Sequence, residues 1–148
     1  MDRVIHCGAD LRCQATKAYE HFVSKPLLES WLTNLAEVEP LPGGKYQLFW
    51  NPADRGNDST IGCRITAVEP AVLLAFEWRS PKQFKHFANS ADPLTHAVVA
   101  FSATPSGTSV HLVHSGWRST PEWLEAADWQ QQAWDLAFKA LQKLVNGP

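Results

Sequence analysis

Residues 123–145 read WLEAADWQQQAWDLAFKALQKLV. Trp134, Phe138, Leu141 and Val145 recur at helical spacing on one stripe, and Trp129, Ala133, Leu136, Ala140 and Leu144 fall on the adjoining one. Together they describe one long amphipathic helix with a wide apolar face. Ser119 and Glu122 have the spacing of a capping box, Pro121 stands in the first turn, and Asn146-Gly147-Pro148 ends the run. No strand follows, so the helix must lay its face on structure made upstream. A tryptophan ring covers about 150–250 Å², and at about 25 cal/mol/Å² full burial is worth roughly 4–6 kcal/mol. Trp129 and Trp134 left in water would forfeit much of that. A curved sheet gripping a single helix leaves room for a cavity between them, which points to a small-molecule pocket.

Upstream, the chain reads mostly as strands. Val4 to Cys13 is the first, with a bulge expected at Gly8. Thr16 stands as an N-cap before a short helix carrying Tyr19, Phe22 and Val23, and Pro26 opens a second with Leu27, Leu28, Trp31 and Leu32. Strands are expected at Ala36–Glu39, Lys45–Trp50, Thr60–Val68 and Val72–Arg79, and a final hairpin at Thr95–Ala103 and Thr108–Ser115. Pro42-Gly43-Gly44 and the polar stretch 51–58 separate strands as turns. Residues 80–93 are the longest irregular stretch.

Bulk properties narrow the function classes. The 148 residues fit one domain spanning 1–148, large enough to bury roughly 70% of its unfolded surface. A formal net charge of -2 and no basic cluster argue against nucleic acid as a partner. No apolar run approaches the roughly 20 residues of a membrane span. The polar start Met1-Asp2-Arg3 does not read as a signal peptide, so a cytoplasmic location is expected. The 3 cysteines, Cys7, Cys13 and Cys63, form no Cys-x-x-Cys pair and read as reduced thiols.

The order of these marks resembles the START-like superfamily, also called SRPBCC or Bet v-like, and within it the group named after the activator of Hsp 90 ATPase. The residues that carry the resemblance are Tyr19-Glu20-His21-Phe22 and Trp31, Gly43-Gly44-Lys45-Tyr46, and Gly62 with Glu69-Pro70. Leu74-Ala75-Phe76-Glu77-Trp78, Gly107 to Leu112, His114-Ser115-Gly116, and Trp134 with Phe138 and Leu141 complete the set. The resemblance runs from about residue 3 to 145. It departs at Ala133, where the group often has glycine, and over 80–93. It implies an α+β helix-grip fold: a curved antiparallel sheet wrapped around the C-terminal helix, with two short helices between the first and second strands. The eukaryotic activator joins such a domain to a separate one that contacts the chaperone. No second domain is legible here, and chaperone contact is not expected.

Strand parity selects the residues that face the hollow. Leu74, Phe76 and Trp78 share a face, as do Val110, Leu112 and His114, and Tyr46, Leu48 and Trp50. Val99 and Phe101 join them, with His96 on the other side. The expected ligand-binding set is Trp31, Tyr46, Trp50, Phe76, Trp78, His114, Trp134 and Phe138. His114 reads either as a ligand-facing acid/base group or as a core histidine held by a neighbour. His111 and His114 point to opposite strand faces and do not chelate together. Gly43-Gly44 opens a strand, not a helix, so it is a tight turn rather than a phosphate cradle. No Gly-x-Ser-x-Gly elbow is present, and Glu37 with Glu39, or Asp54 with Asp58, read as solvated pairs. Phe84, His86 and Phe87 make either a lid over the pocket or a surface or dimer contact.

The expected function is binding of a hydrophobic or amphipathic small molecule, with no cofactor and no metal. Two alternatives stand beside it: a protein-interaction or co-chaperone-like module, and a cyclase or aromatase-type enzyme drawing on His114, Tyr46 and Glu77. A homodimer is left open.

Overall fold

A computed structural model describes residues 2–147. Strand β1 (Ile5–Leu11) alternates strictly, with Ile5, Cys7, Ala9 and Leu11 inward. Two short helices follow, α1 (Ala15–Val23) and α2 (Lys25–Trp31), then β2 (Leu35–Val38), β3 (Tyr46–Phe49), β4 (Ile65–Glu69) and β5 (Leu73–Glu77). A 3-10 turn at Lys82–Phe84 runs into the single-turn helix α3 (Lys85–Ala88). The hairpin β6 (His96–Thr104) and β7 (Gly107–Ser115) precedes the long helix α4 (Pro121–Asn146).

All pairings are antiparallel, and the main sheet has the order β1-β7-β6-β5-β4. β2 and β3 form their own ladder, joined to the chain before β4 by bridges at Lys45–Arg64 and Phe49–Ser59. The Thr60 hydroxyl strengthens that joint by donating to Tyr46 O and accepting from Leu48 N–H, both at 2.9 Å. The architecture is therefore α+β, a curved antiparallel sheet gripping α4, with α1 and α2 between the first two strands.

Three local expectations are corrected. β1 pairs with β7 without a break in register from Ile5–His114 to Leu11–Thr108, so Gly8 carries no bulge. Gly8 lies on the outward parity, and a side chain there would make ordinary contact with His111 at 3.5 Å. The irregularity falls in β4 instead, between Ile65 and Ala67. Helix α1 starts at Ala15 with Gln14 as N-cap, not Thr16. In α4 the N-cap is Thr120 and no capping box forms between Ser119 and Glu122. Pro121 occupies the first helical turn and biases the residue before it to extended backbone, so the cap falls one residue later. At the other end Gly147, at φ 79°, turns the chain and its N–H bonds Lys143 O at 3.0 Å; Pro148 lies outside the described residues. The Gly43-Gly44 turn is tight, since a side chain on Gly44 would meet Glu39 O at 2.2 Å.

The apolar face of α4 is narrower than its sequence implies. Trp123, Ala126, Ala127, Gln130, Trp134, Phe138 and Leu141 are buried, whereas Trp129, Leu136 and Leu144 stay 40%, 69% and 50% exposed. The sheet covers one stripe of the helix, and on the adjoining stripe Leu136 and Leu144 turn outward. On the inner side Phe138 closes an edge-to-face cluster with Phe22 and Trp31, their centroids 6.0 Å away, and Phe22 meets Phe101 of β6 at 5.5 Å. Polar side chains of α4 meet the outer edge of β1: Gln131 bonds His6 O, Gln142 bonds Asp10 N–H, and Asn146 spans Asp10 O and Arg12 N–H. Arg3 pairs with Asp128. At the far end of the structure α2 treats β2 the same way, through Glu29 to Ala36 N–H and Lys25 to Ala36 O.

Replacing Phe138 by Ala should therefore cost about 3–5 kcal/mol in urea unfolding. Leu136→Ala on the outward stripe should change stability by no more than about 0.5 kcal/mol. Equal losses would place the docking face elsewhere.

Candidate functional site

The hollow between sheet and helix is only part filled. At one end the cluster of Phe22, Trp31, Phe101 and Phe138 occupies it. At the other a cavity of about 340 Å³ remains, near the lower end of the 300–1,000 Å³ typical of ligand sites. Its floor is α4, through Trp129, Gln130, Ala133, Trp134 and Ala137. Ala133 and Ala137 leave the space; larger side chains there would fill it. The walls are the ends of β3 and β5, where Trp50, Trp78 and Arg79 stand, with Leu32 beyond α2. The rim comes from two loops, through Asn51, Asp58 and Ser59 of one and Pro81 and Gln83 of the other.

Of the expected binding set, Trp50, Trp78 and Trp134 line this cavity. They are in mutual contact through Trp78, whose ring lies 5.9 Å from Trp50 and 4.9 Å from Trp134. Of the other five, Tyr46, Phe76, His114 and Phe138 are buried in the packed core and Trp31 lies half-buried against it. Tyr46 stacks on Phe76 at 4.0 Å and its hydroxyl donates to Phe22 O. Trp31 donates its indole N–H to His21 O and packs with Phe138. His114 is fully buried: it accepts the Trp134 indole N–H on Nδ1 at 3.0 Å and reaches the Thr95 hydroxyl through Nε2, also at 3.0 Å.

That arrangement explains the electrostatics. Burial drives the His114 pKa down to about 3, and the neighbouring His96 pushes the same way. The neutral ring accepts on Nδ1, so Nε2 carries the proton toward Thr95. Burial raises the Tyr46 hydroxyl well above its ordinary range, and it lifts the Cys63 thiol to about 12, against an opposing pull from Arg79. Cys7 also rises to about 12, through burial first and the charge of Asp135 second. None of these groups lines the cavity. The ionisable side chains that do are Asp58 and Arg79. No cluster of metal-ligating side chains occurs among the described residues, and no helix among them is long and apolar enough to cross a membrane.

Gln130 and Arg79 line the cavity and lie outside the expected binding set. Gln130 is 4% exposed and accepts the Trp78 indole N–H on Oε1 at 3.1 Å. Its signal was present: it is the one amide on the buried stripe between Ala127 and Trp134. Arg79 follows the apolar run of β5 with no distinguishing pattern. The segment 80–93, read as either a lid or a loop anchored by its aromatics at the surface or a dimer contact, packs on α4. Asn89 clasps Ser80 by two hydrogen bonds, and Phe84 and Phe87 rest on Trp129 and Trp123 of α4. Lys82 N–H bonds Asp58, and Lys85 bonds Gly56 and Asn57, which ties the two rim loops together.

With this geometry in place, the chain can be set beside known proteins. A family model described as "Activator of Hsp90 ATPase homolog 1-like protein" matches residues 12–146. The chain belongs to this family. No curated protein matches it. Among solved structures, protein MLL2253 from Mesorhizobium loti is similar at 21% identity and a TM-score of 0.75, over 97% of both chains. An AHSA1-like protein from Rhizobium etli is similar at 20% identity and a TM-score of 0.72, over 99% of this chain and 84% of that one. The Aha1 dimer from Colwellia psychrerythraea is similar at 15% identity and a TM-score of 0.74, over 97% and 96%. At these identities the likeness is one of fold.

The depressed His114 pKa has a measurable sign. Below about pH 6.5 the unfolded chain takes up a proton that the folded chain refuses until about pH 3, so stability falls with falling pH across that window. His114 alone should cost about 2 kcal/mol between pH 7 and pH 5. His114→Gln should lose that increment in paired denaturation curves; an unchanged slope would assign the proton elsewhere. His96, also lowered by burial, remains in both proteins as a common background.

Proposed function

We propose that this protein binds a small hydrophobic or amphipathic molecule in the cavity between the sheet and α4. The supporting observation is the composition of the walls: Trp50, Trp78 and Trp134 surround a space that Ala133 and Ala137 keep open. A ring entering it removes apolar surface on both sides from water, while a few polar groups fix its orientation. The cavity is small, so the occupant is compact rather than a long-chain lipid. The ring contacts among the three tryptophans hold the walls apart before anything binds, and preorganisation lowers the cost of binding.

A second reading has its own observation. Leu136 and Leu144 form an outward apolar stripe on α4, and the Colwellia psychrerythraea relative is a dimer. We infer that two copies of this chain meet through that stripe.

Ala137→Phe should fill the cavity without loss of fold. Titration with the uncharged fluorophore aminoanthracene should then show affinity lowered by at least about tenfold, with a thermal midpoint no lower than that of the unaltered protein. Undiminished binding would remove the cavity as the site. For the second reading, sedimentation should give a dimer that Leu136→Glu converts to a monomer; a monomeric unaltered protein would end it.

A further inference from the structure

Two donors of the cavity, Arg79 on the wall and Gln130 on the floor, point to the chemistry of the occupant. Gln130 is fixed in orientation, because the Trp78 N–H occupies its Oε1. Its Nε2 therefore presents two N–H donors that find no acceptor among the described residues. Arg79 spends one N–H on Asn89 O at 2.9 Å. Its Nε is buried with no hydrogen-bond partner, and no carboxylate pairs with its guanidinium among the described residues. Buried donors without acceptors are costly, and a charged one most of all.

Asp58, the one carboxylate lining the cavity, makes no ion pair with Arg79 among the described residues. Asp58 receives the Lys82 N–H at 2.8 Å, and the Ser59 hydroxyl donates outward to Arg55 O. Asp58 belongs to the rim loop, whereas Gln130 projects from the floor. Beside the tryptophans, wall and floor thus supply a cation without a carboxylate partner and the free amide N–H groups of Gln130, a pair that an acceptor-only, negatively charged group would satisfy.

We propose that the occupant is a compact aromatic carboxylate. Its carboxylate accepts from Arg79 and Gln130, and its ring lies among Trp50, Trp78 and Trp134. Arginine suits this role because its planar fork matches a carboxylate. A cationic occupant would find the same tryptophan faces but would meet the charge of Arg79. The inference rests on the cavity being a binding site, and it adds the head group that the site selects.

Three probes of one shape and different head group separate the two claims: naphthoate, naphthalenemethanol and naphthyl trimethylammonium, each titrated calorimetrically into the full chain. Naphthoate should bind at least about tenfold more tightly than the alcohol, and the ammonium compound most weakly. Arg79→Gln should erase the advantage of naphthoate over the alcohol, and Arg79→Lys should restore part of it. Equal binding of naphthoate and the alcohol, or tighter binding of the ammonium compound, overturns the carboxylate and leaves the cavity reading standing. Binding of none of the three overturns both. The comparison among probes on the unaltered protein decides the matter even if the Arg79 variants fold poorly.

Discussion

The hydrogen bond from the Trp134 indole to His114 fixes how α4 sits in the sheet. It joins a residue of the last helix to one near the end of the last strand, in a place closed to water, where losing it would leave both partners unsatisfied. It demands a neutral histidine of one tautomer, and Thr95 on the far side of the ring supports that form. A helix held this way cannot rotate about its own axis. One turn earlier, Gln130 then meets Trp78, and one turn later Phe138 meets Trp31 and Phe22.

The cavity follows from that fixed rotation together with side-chain size. On the side of α4 that faces α1 and α2, large rings fill the hollow. Toward the ends of β3 and β5, Ala133 and Ala137 face the gap, and the three tryptophans brace one another around it. The same helix is thus a packing element along one half of its length and a cavity floor along the other. The rim is polar and latched, since Lys82 and Lys85 hold the 51–58 loop.

Much of this was legible in the residues and some was not, for identifiable reasons. Period-two alternation in β1 and β7 reports which side chains point inward, and the structure buries Leu112 and His114 as that parity requires; in the nearly all-apolar run through β5, Phe76 and Trp78 are buried and so is Ala75 on the other parity. Helical spacing in 123–145 reports the helix itself, but not how wide a face the sheet would cover, so Trp129 and Leu136 looked equivalent to Trp134. Parity also cannot separate a side chain that faces a core from one that faces a void. That is why Tyr46, Phe76 and His114 were grouped with Trp50 and Trp78, although only the latter two meet the cavity. Gly8 suggests a bulge from its identity alone, while the unbroken ladder between β1 and β7 passes through it in ordinary register with His111.

The helix side chains that meet β1 and β2 have a consequence for self-association. A sheet with bare margins can recruit a further strand from another molecule, which is a common route to fibrils and swapped oligomers. Here Gln131, Gln142 and Asn146 occupy backbone groups along one margin, and Glu29 and Lys25 occupy them along the other. Strand addition is thereby hindered along β1 and at Ala36 of β2, and contacts between copies at those places fall to side-chain surfaces.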